Sequence, residues 1–377
     1  VSPRETAPER PPAGGRNGRQ SYVIALDVGG TVMKAALVGR DNTPLYRARR
    51  PTAAGGGEAA AAGILDFAGE LLETGLAEFG APPHAAGAAL PGVVDEAAGV
   101  AVYSANLGWR DLPLRRLLSE RLGGLPVGIG HDVRTGGLAE GRLGAGAGVD
   151  RFLFVALGTG IAGAIGLDGR MEPGAHGGAG EIGHVVVRPG GAPCACGQRG
   201  CLETVASAAA VARAWGGSAA EAARAVAAGD PRARAVWAEA VDALADGLLL
   251  AIGLLDPRTV IVGGGLAESG ETLLAPLREA VAAKVTFQRV PEIVPAALGD
   301  GAGCLGAGLL AWATAQAAPA AAPAAPADEA APADEAGPAG EEGAPGGAGA
   351  VGQAGARQVA EGRTAVPSTA GTAEVGQ

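Results

Sequence analysis

Lysine is nearly absent from this chain of 377 residues, and its formal net charge is −10. No basic face can be assembled from that balance, which argues against nucleic acid as a partner. No apolar run is long enough to span a bilayer. Residues 1–20, VSPRETAPERPPAGGRNGRQ, lack the apolar centre of a secretory signal. A cytoplasmic protein is therefore expected, in a compartment where thiols stay reduced and free to bind metal. Cysteine is scarce as well, with four in the chain. Pairing them as two disulfides would need Cys304, far along the chain from the others, and an oxidising compartment.

What is present divides by composition. Residues 1–20 are rich in proline and arginine and read as a disordered lead-in. Residues 315–377 are Ala, Pro, Gly and Glu with PADEA repeated, and too few large apolar side chains to offset the ordering of a backbone. They read as a disordered acidic tail. Between them, 48% hydrophobic residues overall supply enough apolar surface for two domains. We divide the folded part into 21–135, 136–302 and a terminal helix, 303–314.

The chemistry concentrates between Gly177 and Glu203. Cys194, Cys196 and Cys201 fall within eight residues, and His184 precedes them by ten. Cys-x-Cys sets two thiolates on one tight knuckle, and Gly197 and Gly200 let the chain turn back without side-chain clash. With Cys201 and His184 the set is complete for tetrahedral zinc, and a closed Cys₃His site stiffens a loop rather than activating water. Glu181 and Glu203 frame that loop, so two acceptors are expected to face one pocket. A plain solvated carboxylate is the alternative at each.

Two glycine turns each join a strand to a strand. Tyr22 to Leu26 leads into Asp27-Val28-Gly29-Gly30-Thr31 and returns from Met33 to Val38; Phe152 to Ala156 leads into Leu157-Gly158-Thr159-Gly160 and returns from Ala162 to Leu167. Such turns present backbone N–H groups unobstructed by side chains, which suits phosphate. Asp27 ends the first strand, where one carboxylate can hold Mg²⁺ through water. Lys34 alternates with Met33 and is expected in solvent. A third cluster, Gly263-Gly264-Gly265, fails as a dinucleotide fingerprint because position 268 is Glu.

Between the hairpins, buried strand 86–90 runs into Gly92, and Asn106-Leu107-Gly108-Trp109 follows a strand from Gly99 to Ser104. Leu114, Leu117, Leu118 and Leu122 space a helix over 113–122. Val127 to Gly130 then leads to His131-Asp132 before a helix expected from Thr135 to Leu143. A carboxylate at the mouth of a buried strand is well placed as a general base; a helix N-cap is the alternative for Asp132, and a core histidine for His131. Cys304 lies on an apolar helix and reads as core packing.

GAGEIGH followed by CxCGxxGCLE resembles the signature of the ROK family (repressor, open reading frame, kinase), whose enzymes are ATP-dependent sugar kinases. The paired turns resemble the duplicated actin-like, hexokinase-like ATPase fold: α/β, two domains and a cleft. The resemblance implies that Gly92, Asn106, His131, Glu181, His184 and Glu203 face a hexose, His184 with one ring nitrogen on the metal and the other toward sugar. It implies that Gly29, Gly30, Thr31, Gly158, Thr159 and Gly160 hold phosphates, with Gly263, Gly264 and Gly265 at the adenosine. It also implies that Asp132 takes the proton, that ATP, Mg²⁺ and structural Zn²⁺ are the cofactors, and that the chain forms a homo-oligomer, dimer or tetramer. Family glucokinases usually carry Asn-Asp where this chain has His131-Asp132, which bears on the choice of hexose. The expected activity is phosphorylation of glucose at its 6-hydroxyl; the alternatives are a kinase for N-acetylmannosamine, fructose or another hexose, or a sugar-responsive regulator. Such regulators carry an N-terminal helix-turn-helix, which residues 1–20 cannot form.

Overall fold

The computed structural model describes residues 20–317. The expected lead-in lies almost wholly outside that range, and so does the tail beyond residue 317. Residues 315–317, expected in the tail, continue the last helix.

The first sheet is built from β1 (Tyr22–Val28), β2 (Val32–Gly39), β3 (Pro44–Pro51) and two later strands. After α1 (Gly57–Phe79) the chain enters β4 (Ala86–Leu90), which is buried throughout. A small antiparallel sheet follows, β5 (Val93–Asp95), β6 (Val100–Ser104) and β7 (Trp109–Leu112). Then come α2 (Leu114–Arg121) and β8 (Val127–His131). The order in the first sheet is β3-β2-β1-β4-β8, antiparallel in the β1–β3 meander and parallel from β1 through β4 to β8. β1, β4 and β8 read as near-continuous apolar runs because both of their faces are covered.

α3 (Asp132–Leu143) leads to the second sheet: β9 (Arg151–Leu157), β10 (Ile161–Leu167) and β11 (Arg170–Glu172). The chain then passes through the knuckle into α4 (Leu202–Ala206), α5 (Ala208–Trp215), α6 (Ala219–Ala227) and α7 (Pro231–Leu255). β12 (Thr259–Gly263), α8 (Glu271–Lys284), β13 (Glu292–Pro295) and α9 (Ala302–Ala317) complete it. The order is β11-β10-β9-β12-β13, with the same pattern of directions as the first sheet. The duplication expected from the two glycine turns is thus present strand for strand.

α3 and α9 exchange places. α3 leaves the first sheet but packs on the second, where Val133 meets a cluster of Phe152, Phe154, Ala164 and Ile261. α9 leaves the second sheet but packs on the first, placing Cys304, Ala307, Ala311 and Trp312 against Val23, Ala25, Ala36 and Val38. The two helices cross at Gly306, where an added Cβ would lie 2.0 Å from the Thr135 carbonyl oxygen. A helix apolar on all sides, as α9 is, belongs between two covering layers. The lobe boundary expected at 135/136 falls inside α3. Among the described residues, no helix is long and apolar enough to cross a membrane.

Candidate active site

Most elements singled out in the sequence as chemical lie at the carboxyl end of a strand running in one direction through its sheet. Asp27 is the last residue but one of β1, Gly92 follows β4, His131 ends β8, the second glycine turn follows β9, and Gly263 ends β12. That edge is where open α/β sheets bind ligands, because helix N-termini and strand-end loops converge there.

α3 starts at Asp132, three residues before the expected Thr135. His131 is its N-cap: the ring accepts from the Arg134 N–H through Nδ1 at 3.5 Å. The capping role weighed for Asp132 therefore falls to its neighbour. With Nδ1 accepting, Nε2 carries the proton, and it lies 3.3 Å from Asp132 Oδ1. Oδ1 also accepts from the Val133 N–H at 2.7 Å. Oδ2 has no partner among the described residues and is the atom left for chemistry.

Burial and the neighbouring Arg134 hold His131 down to about 4, so it is neutral at physiological pH. Asp132 moves the other way, up to about 7. Its carboxylate is still one third exposed, yet loss of hydration is the main cause. The Val133 N–H and Arg134 oppose the shift, while the charges of Asp27 and Glu181 add to it. The charges of carboxylates from β1 and the knuckle loop thus both bear on the one at the start of α3.

Lys34, expected in solvent, is instead mostly covered and pairs with Asp27 at 3.6 Å and with Asp300. Burial raises the Asp27 carboxyl above the usual range and Lys34 works against that. A single carboxylate at Asp27, with the cations Lys34 and Arg49 acting on it, suits a hydrated Mg²⁺.

The two turns close in related but not identical ways, the first over one residue more than the second. Gly29 N–H bonds to the Val32 carbonyl and Gly158 N–H to that of Gly160. The N–H groups of Gly30, Thr31, Thr159 and Gly160 have no partner among the described residues. Asn106, on the β6–β7 turn, packs its Cβ against Gly30, and Gly92 takes φ +91° between β4 and β5. Gly264, at φ +86°, lies against the Leu157 backbone, and the next N–H but one, that of Leu266, donates to the Leu157 carbonyl at 3.0 Å. The third glycine cluster is therefore fastened to the second turn.

The knuckle closes as the spacing predicts. Ligand atoms of His184, Cys194, Cys196 and Cys201 all lie within 4.8 Å of one another. Cys196 and Cys201 sulfurs are 3.7 Å apart, and Cys194 Sγ is 3.5 Å from His184 Nδ1. Zinc–sulfur bonds of about 2.3 Å place two thiolates about 3.8 Å apart in a tetrahedron, so the set fits zinc. It does not fit a disulfide, whose sulfurs stand about 2.0 Å apart. The Gln198 backbone helps draw the Cys196 thiol down to about 7, toward the thiolate that a metal needs. Gly200 is required by its φ of +76° and by the Arg188 carbonyl, 1.6 Å from where a Cβ would stand. His184 turns Nε2 toward Glu181, 3.9 Å away. Of the two framing acids, Glu181 adds its charge to the surroundings of Asp132, and Glu203 Oε2 accepts the Ile161 N–H at 2.9 Å, beside the second turn.

Three residues of this architecture escaped the sequence reading. Arg134 is buried, pairs with Glu96 at 2.9 Å and donates to the Gly177 carbonyl at 2.7 Å, clamping the β5–β6 turn and the start of the knuckle loop around Asp132. Glu140 is fully buried and accepts backbone N–H groups of Ala145, Ala297 and Leu298. Arg188 joins Glu239, Asp242 and Asp246 of α7, with Lys284 of α8 completing the network. No signal in the sequence distinguished the first two from the other charges of α3, Asp132 and Arg142.

Comparison with known proteins follows the same outline. The family model described as the ROK family matches residues 23–314. A glucokinase of Halalkalibacterium halodurans is 34% identical over 314 residues, covering 77% of this chain and 94% of its own. The crystal structure of a ROK hexokinase from Thermus thermophilus superposes with a TM-score of 0.66 at 34% identity, over 78% of this chain and 99% of that one. A ROK family glucokinase from Streptomyces griseus, in complex with glucose and AMPPNP, has a TM-score of 0.67 at 29% identity, over 78% of this chain and all (100%) of that one.

Proposed function

The chain belongs to the ROK family and is an ATP-dependent sugar kinase; from that premise we propose that it phosphorylates glucose at the 6-hydroxyl, with Asp132 as general base. The observation that carries this is Asp132 itself. Its pKa of about 7 matches the working pH, one oxygen is held by two donors, and the other has no partner among the described residues.

In the proposed step a sugar hydroxyl attacks the γ-phosphorus, its proton passes to Asp132 Oδ2, and the bond to the β-phosphate oxygen breaks to release ADP. The free N–H groups of the two glycine turns would hold phosphate oxygens, and Gly263, Gly264 and Gly265 would leave room for the nucleoside. Mg²⁺, when bound, spreads the charge on the transferring group, and Asp27 would hold it through water. Gly92, Asn106, Glu181 and His184 would line the sugar, and Cys194, Cys196, Cys201 and His184 would hold zinc as a brace for that wall. His131 is spent on the Arg134 N–H and on Asp132, so it offers sugar no acceptor, unlike the asparagine usual in family glucokinases. Selection among hexoses then rests on the knuckle side of the pocket.

The test is ADP release measured across glucose, fructose, mannose and N-acetylmannosamine. Glucose is expected to give the highest kcat/KM, and Asp132→Asn to bind glucose yet turn over at least a hundredfold more slowly, about the scale of general-base catalysis. Near wild-type kcat in that variant would remove Asp132 from the role, and a better kcat/KM for another hexose would replace glucose.

A further inference from the structure

The second glycine turn is not held by its own hairpin alone. Three outward backbone groups around it are fastened from outside: the Ile161 N–H by Glu203 Oε2 at 2.9 Å, the Gly158 carbonyl by the Ala208 N–H at 2.9 Å, and the Leu157 carbonyl by the Leu266 N–H at 3.0 Å. Two of these clamps come from the seven residues after Cys201, the last knuckle ligand. Glu203 lies in the first turn of α4, two residues beyond that cysteine, and α4 runs directly into the Ser207 cap of α5. The carboxylate also fits against Gly160 so closely that a Cβ there would stand 2.4 Å from Oε2. A side chain at position 160 would have to displace that carboxylate.

We propose that Glu203 is the positioning residue of the second phosphate turn, transmitting the geometry of the metal knuckle to the nucleotide. This rests on the kinase reading of the site. A charge-assisted bond from a carboxylate to a backbone N–H is short and strong compared with a neutral one. By occupying the Ile161 N–H it sets the plane of the turn and leaves the Thr159 and Gly160 N–H groups to face phosphate. A knuckle that relaxes moves Cys201, then α4, then the carboxylate, and the turn loses its outer support. The knuckle thus serves ATP as well as the sugar wall.

The experiment titrates AMPPNP into the intact chain without sugar, for wild type, Glu203→Ala, Glu203→Asp and Glu203→Gln. Ala and Asp, which cannot reach Ile161, are expected to weaken nucleotide binding about tenfold, the scale of one charge-assisted bond. Gln keeps a carbonyl acceptor and is expected to stay within about threefold of wild type. Amide exchange at Ile161 should quicken in Ala and Asp but not in Gln. A zinc-selective chelator should weaken AMPPNP binding to wild type and add nothing in Glu203→Ala. Unchanged affinity and exchange in a folded Ala or Asp variant overturns the proposal, as does equal chelator sensitivity in wild type and Glu203→Ala. Loss of nucleotide binding in Glu203→Ala by a wild type that phosphorylates no hexose would leave this inference standing and remove only the substrate. A wild type that binds no nucleotide sinks both.

Discussion

At the scale of the residue, Asp132 and His131 divide the pH dependence between them. Asp132 titrates near 7 in the free protein, so kcat/KM should fall with a unit slope below that pH. His131, neutral down to about 4, contributes no limb in that range. His131→Ala takes a donor from the ionised carboxylate and should move the acid limb to higher pH; a limb that stays where it was would deny the His131–Asp132 bond. The same shift has a sign in stability. Asp132 binds its proton more tightly folded than unfolded, so the fold loses stability as pH rises from the ordinary carboxylate value through about 7. Asp132→Asn should therefore raise Tm at pH 8 and lose that gain by pH 4, as read by calorimetry. Asp132 could be found from sequence, since a strand-end acid before a helix is a recognisable pattern. The His131 tautomer could not, because it depends on where the first turn of α3 begins.

At the scale of the element, Glu140 joins the end of α3 to the segment that feeds α9. Its carboxylate serves three backbone N–H groups with no exposure to water. Removing it strands those donors, and a buried donor left unpaired costs as much as the bond was worth. Glu140→Ala should destabilise the protein by about 3 kcal/mol in urea unfolding, with Glu140→Gln losing about half as much. Equal stability of all three would show that water replaces the carboxylate. The helix itself was expected after the strand end, but it begins three residues before Thr135, because the His131 ring caps it and draws Asp-Val-Arg into its first turn. Lys34 was misjudged for a related reason. Strand alternation says which face a side chain leaves from, and only the arrival of Asp300 ahead of α9 turns that face into an ion-pair site.

At the scale of the whole molecule, the exchange of α3 and α9 means that neither sheet is covered without chain from the other lobe. The described part should then unfold in one transition, with calorimetric and van't Hoff enthalpies equal. Two separated transitions would show lobes that stand alone. Gly306→Val, which drives a side chain into the Thr135 carbonyl at the crossing, should lower that single Tm without splitting it.

Sequence alone determined the local chemistry of this protein: three thiols and an imidazole at zinc spacing, two glycine turns between strands, and an acid at a strand end. Each is set by residues close together in the chain, where spacing and geometry are nearly the same thing. Tertiary structure decided which of these act on one another. Glu203 Oε2 was brought to the Ile161 N–H, and Arg134 was drawn from a helix start into a clamp on two distant loops. Such partners are brought within hydrogen-bond reach by the packing of separate layers, and nothing in the order of residues records a distance across space.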